Sequence, residues 1–320
     1  MKVLVTGGAG YIGSHACKAL AAKGFEPIAY DNLSRGHRGA VRWGPLEVGD
    51  IADGARLRAV LDRYRPDAVM HFAAYAYVGE SMEKPQLYYQ NNVGGSAALL
   101  RAVVETRPLP VVFSSTCAVY GIPDAVPISE DQPQRPISPY GFSKLVVERM
   151  LGELERAYGL RSVALRYFNA AGADPDGEIG EEHDPEPHVI PRVLLAARDG
   201  TAFAIYGDDY DTPDGTCVRD FVHVSDIAEA HVAALGYIAS GAPSCALNLA
   251  NARGYSVLEV VEAAQRICGR RIAVERLPRR PGDPPQLIGN AQRARAALGW
   301  QPRRSTLEMQ IADAWRWFRR

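Results

Sequence analysis

Short apolar runs and amphipathic stretches alternate through the first half of the 320-residue chain. KVLVT is followed by SHACKALAAKG, EPIAYD by LRAVLDRYR, DAVMHFA by SAALLRAVVET, and PVVFSS by a helical pattern from Tyr140 that leads into SVALRYF. The short runs are apolar throughout, which predicts strands buried on both faces, while the stretches between them repeat their apolar residues at helical spacing. Alternation of this kind predicts an α/β fold, a Rossmann-type doubly wound parallel sheet with helices on both faces.

Beyond residue 168 the pattern changes. GADPDGEIGEEHDPEPH and GDDYDTPDG are rich in Gly, Pro and acid and read as loops around a short helix in IPRVLLAARDG. RDFVHVSDIAEAHVAAL reads as one more strand and helix, capped by Ser225 or Asp226, and the tail combines short helices with two arginines beside a rigid PGDPP turn. The predicted organisation is a Rossmann domain over 1–168, to which 218–240 returns, and a smaller C-terminal α/β substrate domain over 169–320. The stretch AHVAALGYIASGAPSCALNLAN lacks charge, but Gly236, Gly241 and Pro243 interrupt it, so it reads as a buried helix, a turn and a strand rather than a lipid span.

Composition narrows the partners. With 36 Lys+Arg against 37 Asp+Glu, neither a nucleic acid nor a membrane is expected as the main partner. Cys17, Cys117, Cys217, Cys245 and Cys268 are odd in number and scattered, without a CxxC, so neither a disulfide framework nor a zinc site is suggested. Met1 runs directly into KVLVT with no space for an export leader, and a cytoplasmic location is expected.

The candidate chemistry begins at GGAGYIG, between the first strand and the first helix. Gly7, Gly10 and Gly13 permit a tight turn, close approach of backbone to a pyrophosphate and packing of helix on strand, while the helix N-terminus offers free N–H groups to the anion. Asp31 ends the second strand, where a carboxylate accepts from a ribose and repels a 2′-phosphate, favouring NAD over NADP; Arg35 nearby is the reservation. Tyr140 and Lys144 in SPYGFSK lie one turn apart on a single helix face, with Pro139 in the first turn and Ser138 as cap. An isolated YxxxK is usually a solvated pair; in this context it is a candidate proton-transfer group, a phenol whose pKa a neighbouring cation lowers. EEHDPEPH contains histidines and carboxylates, but two prolines and the lack of a helical i, i+4 His pair argue against a metal site, and none is expected.

With TGGAGYIG, the strand-end DN, HFAA at 71–74, NNVGG at 91–95, SSTCAVYG at 114–121, YGFSK, RYFNAAGA, GTCVRDFVHVSD and PRRPGDPP in this order, the chain resembles the extended short-chain dehydrogenase/reductase family. Within it, the chain is similar to the UDP-sugar 4-epimerases of the UDP-galactose 4-epimerase type, nearly end to end. The resemblance implies interconversion of UDP-glucose and UDP-galactose, with NAD taking hydride from sugar C4 and returning it to the other face of a transient 4-keto sugar. It implies Tyr140 as the base, Lys144 as the residue that binds the nicotinamide ribose and lowers the phenol pKa, and Thr116 as the hydroxyl bridging tyrosine and sugar. Cofactor contacts implied are Gly7, Gly10, Tyr11, Ile12, Gly13, Asp31, Asn32, Asp50, Ile51, Phe72, Ala73, Ala74, Asn91, Ser114, Tyr140, Lys144 and Tyr167. For the UDP-sugar, Arg219, Arg280 and Asn169 match diphosphate ligands, Tyr206 falls where a ring packs on uracil, Asp283 matches a ribose contact, and His188 stands where relatives often place an asparagine. A homodimer through helices near 93–105 and 140–157 is also implied.

Two departures stand out. Ala76 occupies the place of a cofactor-reaching lysine in many such epimerases, and Leu287 the position that gates larger sugars. The sequence also admits rival readings. A UDP-xylose/UDP-arabinose epimerase differs by one CH₂OH, a discrimination worth only ~1 to 3 kcal/mol. A 4,6-dehydratase needs an Asp-Glu pair where this chain has Cys117 and Ala118. A UDP-glucuronate decarboxylase would want a cation for the carboxylate, and a silent NAD sensor would not need Thr116, Tyr140 and Lys144 together.

Overall fold

In a computed structural model the described residues are 1–280 and 283–320. Pro281 and Gly282, the first two residues of the expected PGDPP turn, lie outside them. Strands β1 (Lys2–Thr6), β2 (Glu26–Asp31), β3 (Leu46–Val48), β4 (Ala68–His71), β5 (Val111–Thr116) and β6 (Ser162–Tyr167) join one all-parallel sheet with Cys245–Leu249 at its edge. Its order is Cys245–Leu249, β6, β5, β4, β1, β2, β3, so the winding direction reverses between β1 and β4.

Strand alternation divides the core. Val3 and Val5 point to one face with Val112 and Leu165, where helices Tyr11–Ala22 and Val224–Ala239 cover them through Leu20, Ile227 and Ala234. Leu4 points to the other face with Ile28, Val111 and Phe113, beneath Gly54–Tyr64, Ser96–Thr106 and Pro139–Tyr158. Both sheet faces are therefore dry, the condition that lets a parallel sheet consist of nearly uninterrupted apolar runs.

A second unit has its own core, in which Ile190, Val193 and Leu194 of helix Val189–Asp199 meet Phe203, Phe221, Val260, Ile311 and Trp315. Its central strand Val218–His223 is flanked by Gly254–Ser256, Gln286–Leu287 and Asn169–Ala171, and Ala202–Tyr206 pairs with Ala273–Leu277. Two expectations change here. Of 218–240 only the helix returns to the large sheet; the strand Val218–His223 belongs to the small one. Conversely, Cys245–Leu249, assigned by pattern to the second unit, extends the large sheet beside β6. The helix cap also differs: His223 precedes Val224–Ala239, and its Nδ1 accepts from the Ser225 amide at 3.1 Å.

Candidate active site

The reversal between β1 and β4 opens a crevice at their carboxyl ends, which the small sheet closes from the far side. The resulting cavity measures about 910 Å³, near the top of the ~300–1,000 Å³ range of small-molecule sites.

The near wall starts at the glycine turn. Gly7 adopts φ +74°, and a Cβ there would lie 2.6 Å from the Ala73 amide nitrogen, so no other residue fits. A Cβ on Gly13 would collide with the Gly7 carbonyl. The helix Tyr11–Ala22 begins at Gly10 with no side-chain cap and no acid in its first turn, leaving first-turn N–H groups, those of Tyr11, Ile12 and Gly13, for an anion. Asp31 is buried; one carboxylate oxygen accepts from Ala9 N (3.0 Å) and the other from Leu33 N (2.8 Å), which holds it against the turn with acceptor capacity left for hydroxyls. Arg35 is not free to receive a 2′-phosphate. Its guanidinium donates to both oxygens of Glu80 at 2.9 Å and lies over Tyr77, 4.7 Å from the ring centroid. This donor set fits NAD. Asn32 and Ile51 line the cavity, but Asp50 does not: its carboxylate is taken up by Asn32 Nδ2 and Ala52 N, both at 2.8 Å. Phe72, Ala73 and Ala74 continue β4 into the cavity wall, held where the Phe72 and Ala73 amides donate to Thr6 O.

Tyr140 and Lys144 come from Pro139–Tyr158, whose Ser138 cap accepts from Gly141 N at 3.1 Å. Glu148, one turn further on, takes Arg166 Nε (2.9 Å) and Ser115 Oγ (2.5 Å), locking the helix onto β5 and β6. Thr116 ends β5; its Oγ1 accepts from Ala118 N at 3.1 Å, leaving the hydroxyl proton to be donated into the cavity. Lys144 is 3 % exposed, donates from Nζ to Ser114 O at 2.8 Å and rests over the Phe113 ring. Ser114 Oγ pairs with Tyr167 OH at the cavity wall. Asn91 lies nearby in the π-helical segment Tyr89–Gly95, its Nδ2 donating to Asn92 Oδ1 at 2.9 Å.

The electrostatics revise the expected tuning. In the free chain burial dominates: it drives the Tyr140 phenol well above its ordinary value, with the Thr116 hydroxyl pulling the other way, and it lowers the Lys144 ammonium to about 7 against the upward pull of Glu148. Lys144 is held by a backbone carbonyl and does not by itself bring the phenol toward neutrality. Positive charge brought into the cavity would act in the opposite sense to burial and favour the phenolate.

On the far wall, Arg219 donates to Asp283 Oδ1 at 2.6 Å, and the Arg280 guanidinium covers one face of Tyr206 at 3.8 Å from its centroid. The predicted diphosphate, ribose and uracil contacts are thus engaged with one another. Asn169 also lines the cavity, but its Nδ2 donates to Asp220 O at 2.8 Å rather than facing open space. Cys117 lies between the walls, its thiol pushed up to about 12 by burial and hence protonated; with Ala118 it offers no acid and base pair for dehydration.

His188 lines the cavity, but one ring nitrogen is engaged within its own segment. Its Nδ1 turns to Glu181 Oε1 (2.6 Å) and Glu186 Oε1 (3.2 Å), and His183 joins the same group, its Nδ1 lying 3.1 Å from Glu181 Oε1. The prolines at 185 and 187 do not keep these four side chains apart. Arg192 joins the site without a signal in the sequence. It lines the cavity beside Tyr206 and helps hold that phenol below its ordinary value, after Arg280. The IPRV segment signalled only a helix; that its arginine faces inward depends on a register read from the fold.

Known proteins resemble the chain along nearly its whole length. Residues 3–250 match the NAD dependent epimerase/dehydratase family. The chain is 50% identical to a UDP-glucose 4-epimerase of Rhizobium meliloti over 99% of this chain and 97% of that one. Its fold superimposes on the UDP-glucose 4-epimerase of Brucella ovis in complex with NAD with a TM-score of 0.97, at 52% identity, covering 99% and 98% of the two chains. A UDP-glucose 4-epimerase from Stenotrophomonas maltophila, with bound NAD and formylated UDP-arabinopyranose, gives 0.95 at 39% identity over 99% and 97%. A family match over residues 3–250 and identity of this extent across both units leave one assignment: the chain belongs to the NAD dependent epimerase/dehydratase family.

Proposed function

We propose that the chain is an NAD-dependent UDP-sugar 4-epimerase that interconverts UDP-glucose and UDP-galactose through a 4-keto sugar. The observation that carries this reading is the convergence of Thr116, Tyr140 and Lys144 from the large sheet with Arg219 and Arg280 from the small unit on one cavity. Bound NAD supplies a hydride acceptor and donor for the sugar carbon and a positive charge in the cavity. Gly7, Gly10, Gly13 and Asp31 would hold its pyrophosphate and adenosine ribose, and Lys144 its nicotinamide ribose. Tyr140 takes the proton of the sugar hydroxyl and returns it after the sugar turns over. Thr116, oriented by the Ala118 amide, bridges phenol and sugar oxygen. Arg219 and Arg280 leave Asp283 and Tyr206 to embrace the diphosphate, work suited to guanidinium forks.

Residues 1–168 with the helix 224–239 serve NAD and the later unit serves the UDP-sugar. Phe142, on one of the helices expected to pair two copies, and Tyr89, in the π-helical segment that precedes the other, are 47 % and 39 % exposed and meet edge to face at 6.2 Å, an exposed aromatic pair that supports a homodimer. No helix among the described residues is long and apolar enough to cross a membrane, and with five free cysteines this favours the cytoplasm. UDP-pentose conversion is the second reading, supported by the formylated UDP-arabinopyranose in the Stenotrophomonas maltophila relative. Incubating the purified chain with NAD and UDP-glucose or UDP-xylose, and resolving the products, tests both. UDP-galactose from UDP-glucose is expected; conversion of neither sugar would refute the proposal.

A further inference from the structure

The segment 181–188 contains an arrangement that sugar epimerisation leaves unused. Glu181, His183, Glu186 and His188 each direct one donor atom to a common point, all four atoms lying within 4.8 Å of one another. Glu181 and Glu186 have side chains 2 % and 6 % exposed, so two carboxylates are withdrawn from water beside a cavity that takes anions. Buried carboxylates at such a place require neutralisation.

Two protonated imidazoles would neutralise them if N–H groups and oxygens were aligned. They are largely not aligned. Glu181 Oε1, 2.6 Å from His188 Nδ1 and 3.1 Å from His183 Nδ1, has no hydrogen-bond partner; neither has His183 Nδ1 or Glu186 Oε2. One aligned contact exists in the group, His188 Nδ1 with Glu186 Oε1 at 3.2 Å. Lone pairs that approach closely without facing one another are the arrangement a shared cation resolves. A tetrahedral ion ~2.1 Å from each donor sets donors ~3.4 Å apart; three contacts between histidine and glutamate, at 3.1, 3.2 and 3.6 Å, are close to that spacing, and the 2.6 Å pair of His188 Nδ1 and Glu181 Oε1 would open on binding.

We propose that Glu181, His183, Glu186 and His188 form a binding site for one divalent transition ion of the Zn²⁺ class. Two imidazoles with two carboxylates suit such an ion, whereas Mg²⁺ and Ca²⁺ prefer oxygen alone. Two carboxylates and a dication leave the set neutral with both imidazoles neutral. Coordination through Nδ1 leaves the second ring nitrogen of His188, a cavity-lining residue, as an N–H donor for the diphosphate. Tyr11 and Tyr77 wall the site, their rings 6.4 and 5.4 Å from that of His183. Trp317 Nε1 anchors the segment by donating to Glu181 O at 2.9 Å. The ion would pin 181–188 across the glycine turn, a structural role separate from hydride transfer.

The test uses the full chain loaded with NAD, stripped with a chelator, dialysed and titrated with Zn²⁺ against a chromophoric competitor. One equivalent is expected to bind, with Mg²⁺ and Ca²⁺ unable to displace it, and His183→Ala together with Glu186→Gln is expected to weaken binding ~100-fold or more. Should those variants misfold, Co²⁺ added to the unaltered chain reads the ligands directly. The proposal expects the visible bands of a four-coordinate nitrogen and oxygen site with no thiolate charge transfer. No saturable Zn²⁺ binding, binding unchanged in folded variants, or a thiolate signature would each overturn it. Epimerase turnover measured on the same stripped sample separates this outcome from the reading of the active site.

Discussion

The two walls of the cavity are built differently. On the large-sheet side Ser114, Thr116, Tyr140 and Lys144 are 3, 6, 9 and 3 % exposed, fixed by strand ends and one capped helix. On the small-sheet side the polar groups are held by one another: Arg219 by Asp283 and Tyr206 by Arg280. Proton transfer needs the first kind of wall, because a buried phenol changes its pKa steeply with each charge brought near it. Recognition suits the second, because each internal pair is exchanged for a pair with the ligand and no charge is left bare in either state.

If the near wall acts through charge, replacing Lys144 by Met should break it strongly. Turnover is expected to fall ~100-fold or more, the scale of a general base deprived of its setting, and steady-state rates with a separate NAD titration distinguish catalysis from cofactor affinity. On the far wall Arg219→Leu should act on binding. Loss of a charged hydrogen bond is worth ~1.5 to 3 kcal/mol, or roughly 10- to 100-fold in KM, with kcat much less affected. A fall in kcat alone would show that the walls are not divided as described.

Protonation sharpens the contrast further. Burial lowers His71 to about 3 and His15 and His231 to about 4, all packed in or beside the large sheet. Unfolded histidines titrate near ~6.5, so this stability is present above that pH and is lost as pH falls toward the folded values. Asp220, in the central strand of the small sheet, is raised to about 7 by burial and works in the opposite sense, its stability present at low pH and lost as pH rises through 7. Near pH 5 unfolding should therefore take up about two protons, three by the histidines less the one Asp220 releases; the slope of unfolding free energy against pH measures this. The smallest effect is expected at Ser138. Ser138→Ala removes a cap from the helix carrying Tyr140 and should cost ~1 kcal/mol, read as a lower urea midpoint.

Legibility in sequence follows the same division. GGAGYIG and SPYGFSK are contiguous, and each is explained by local backbone geometry, so strand, turn and helix could be placed from spacing alone. Sheet membership could not: Val218–His223 reads as a buried strand in either unit, and only its pairing with Gly254–Ser256 and Asn169–Ala171 assigns it. Cys245–Leu249 likewise reveals its sheet only by lying beside β6, which is distant in sequence. In EEHDPEPH the prolines hid the convergence of four side chains, because no helical or strand period connects them. The tyrosine and lysine were legible as a pair, but the sign of their shifts was not, since burial outweighs the neighbouring charge until a ligand brings more.

The central claim is that Tyr140 carries the proton of the reacting sugar hydroxyl. Conversion of UDP-glucose to UDP-galactose by Tyr140→Phe, in protein shown to retain its fold and its NAD, measures it directly. The account predicts a loss of ~100- to 10,000-fold, the contribution of a positioned acid–base group. Turnover within a few-fold of the unaltered chain would contradict it.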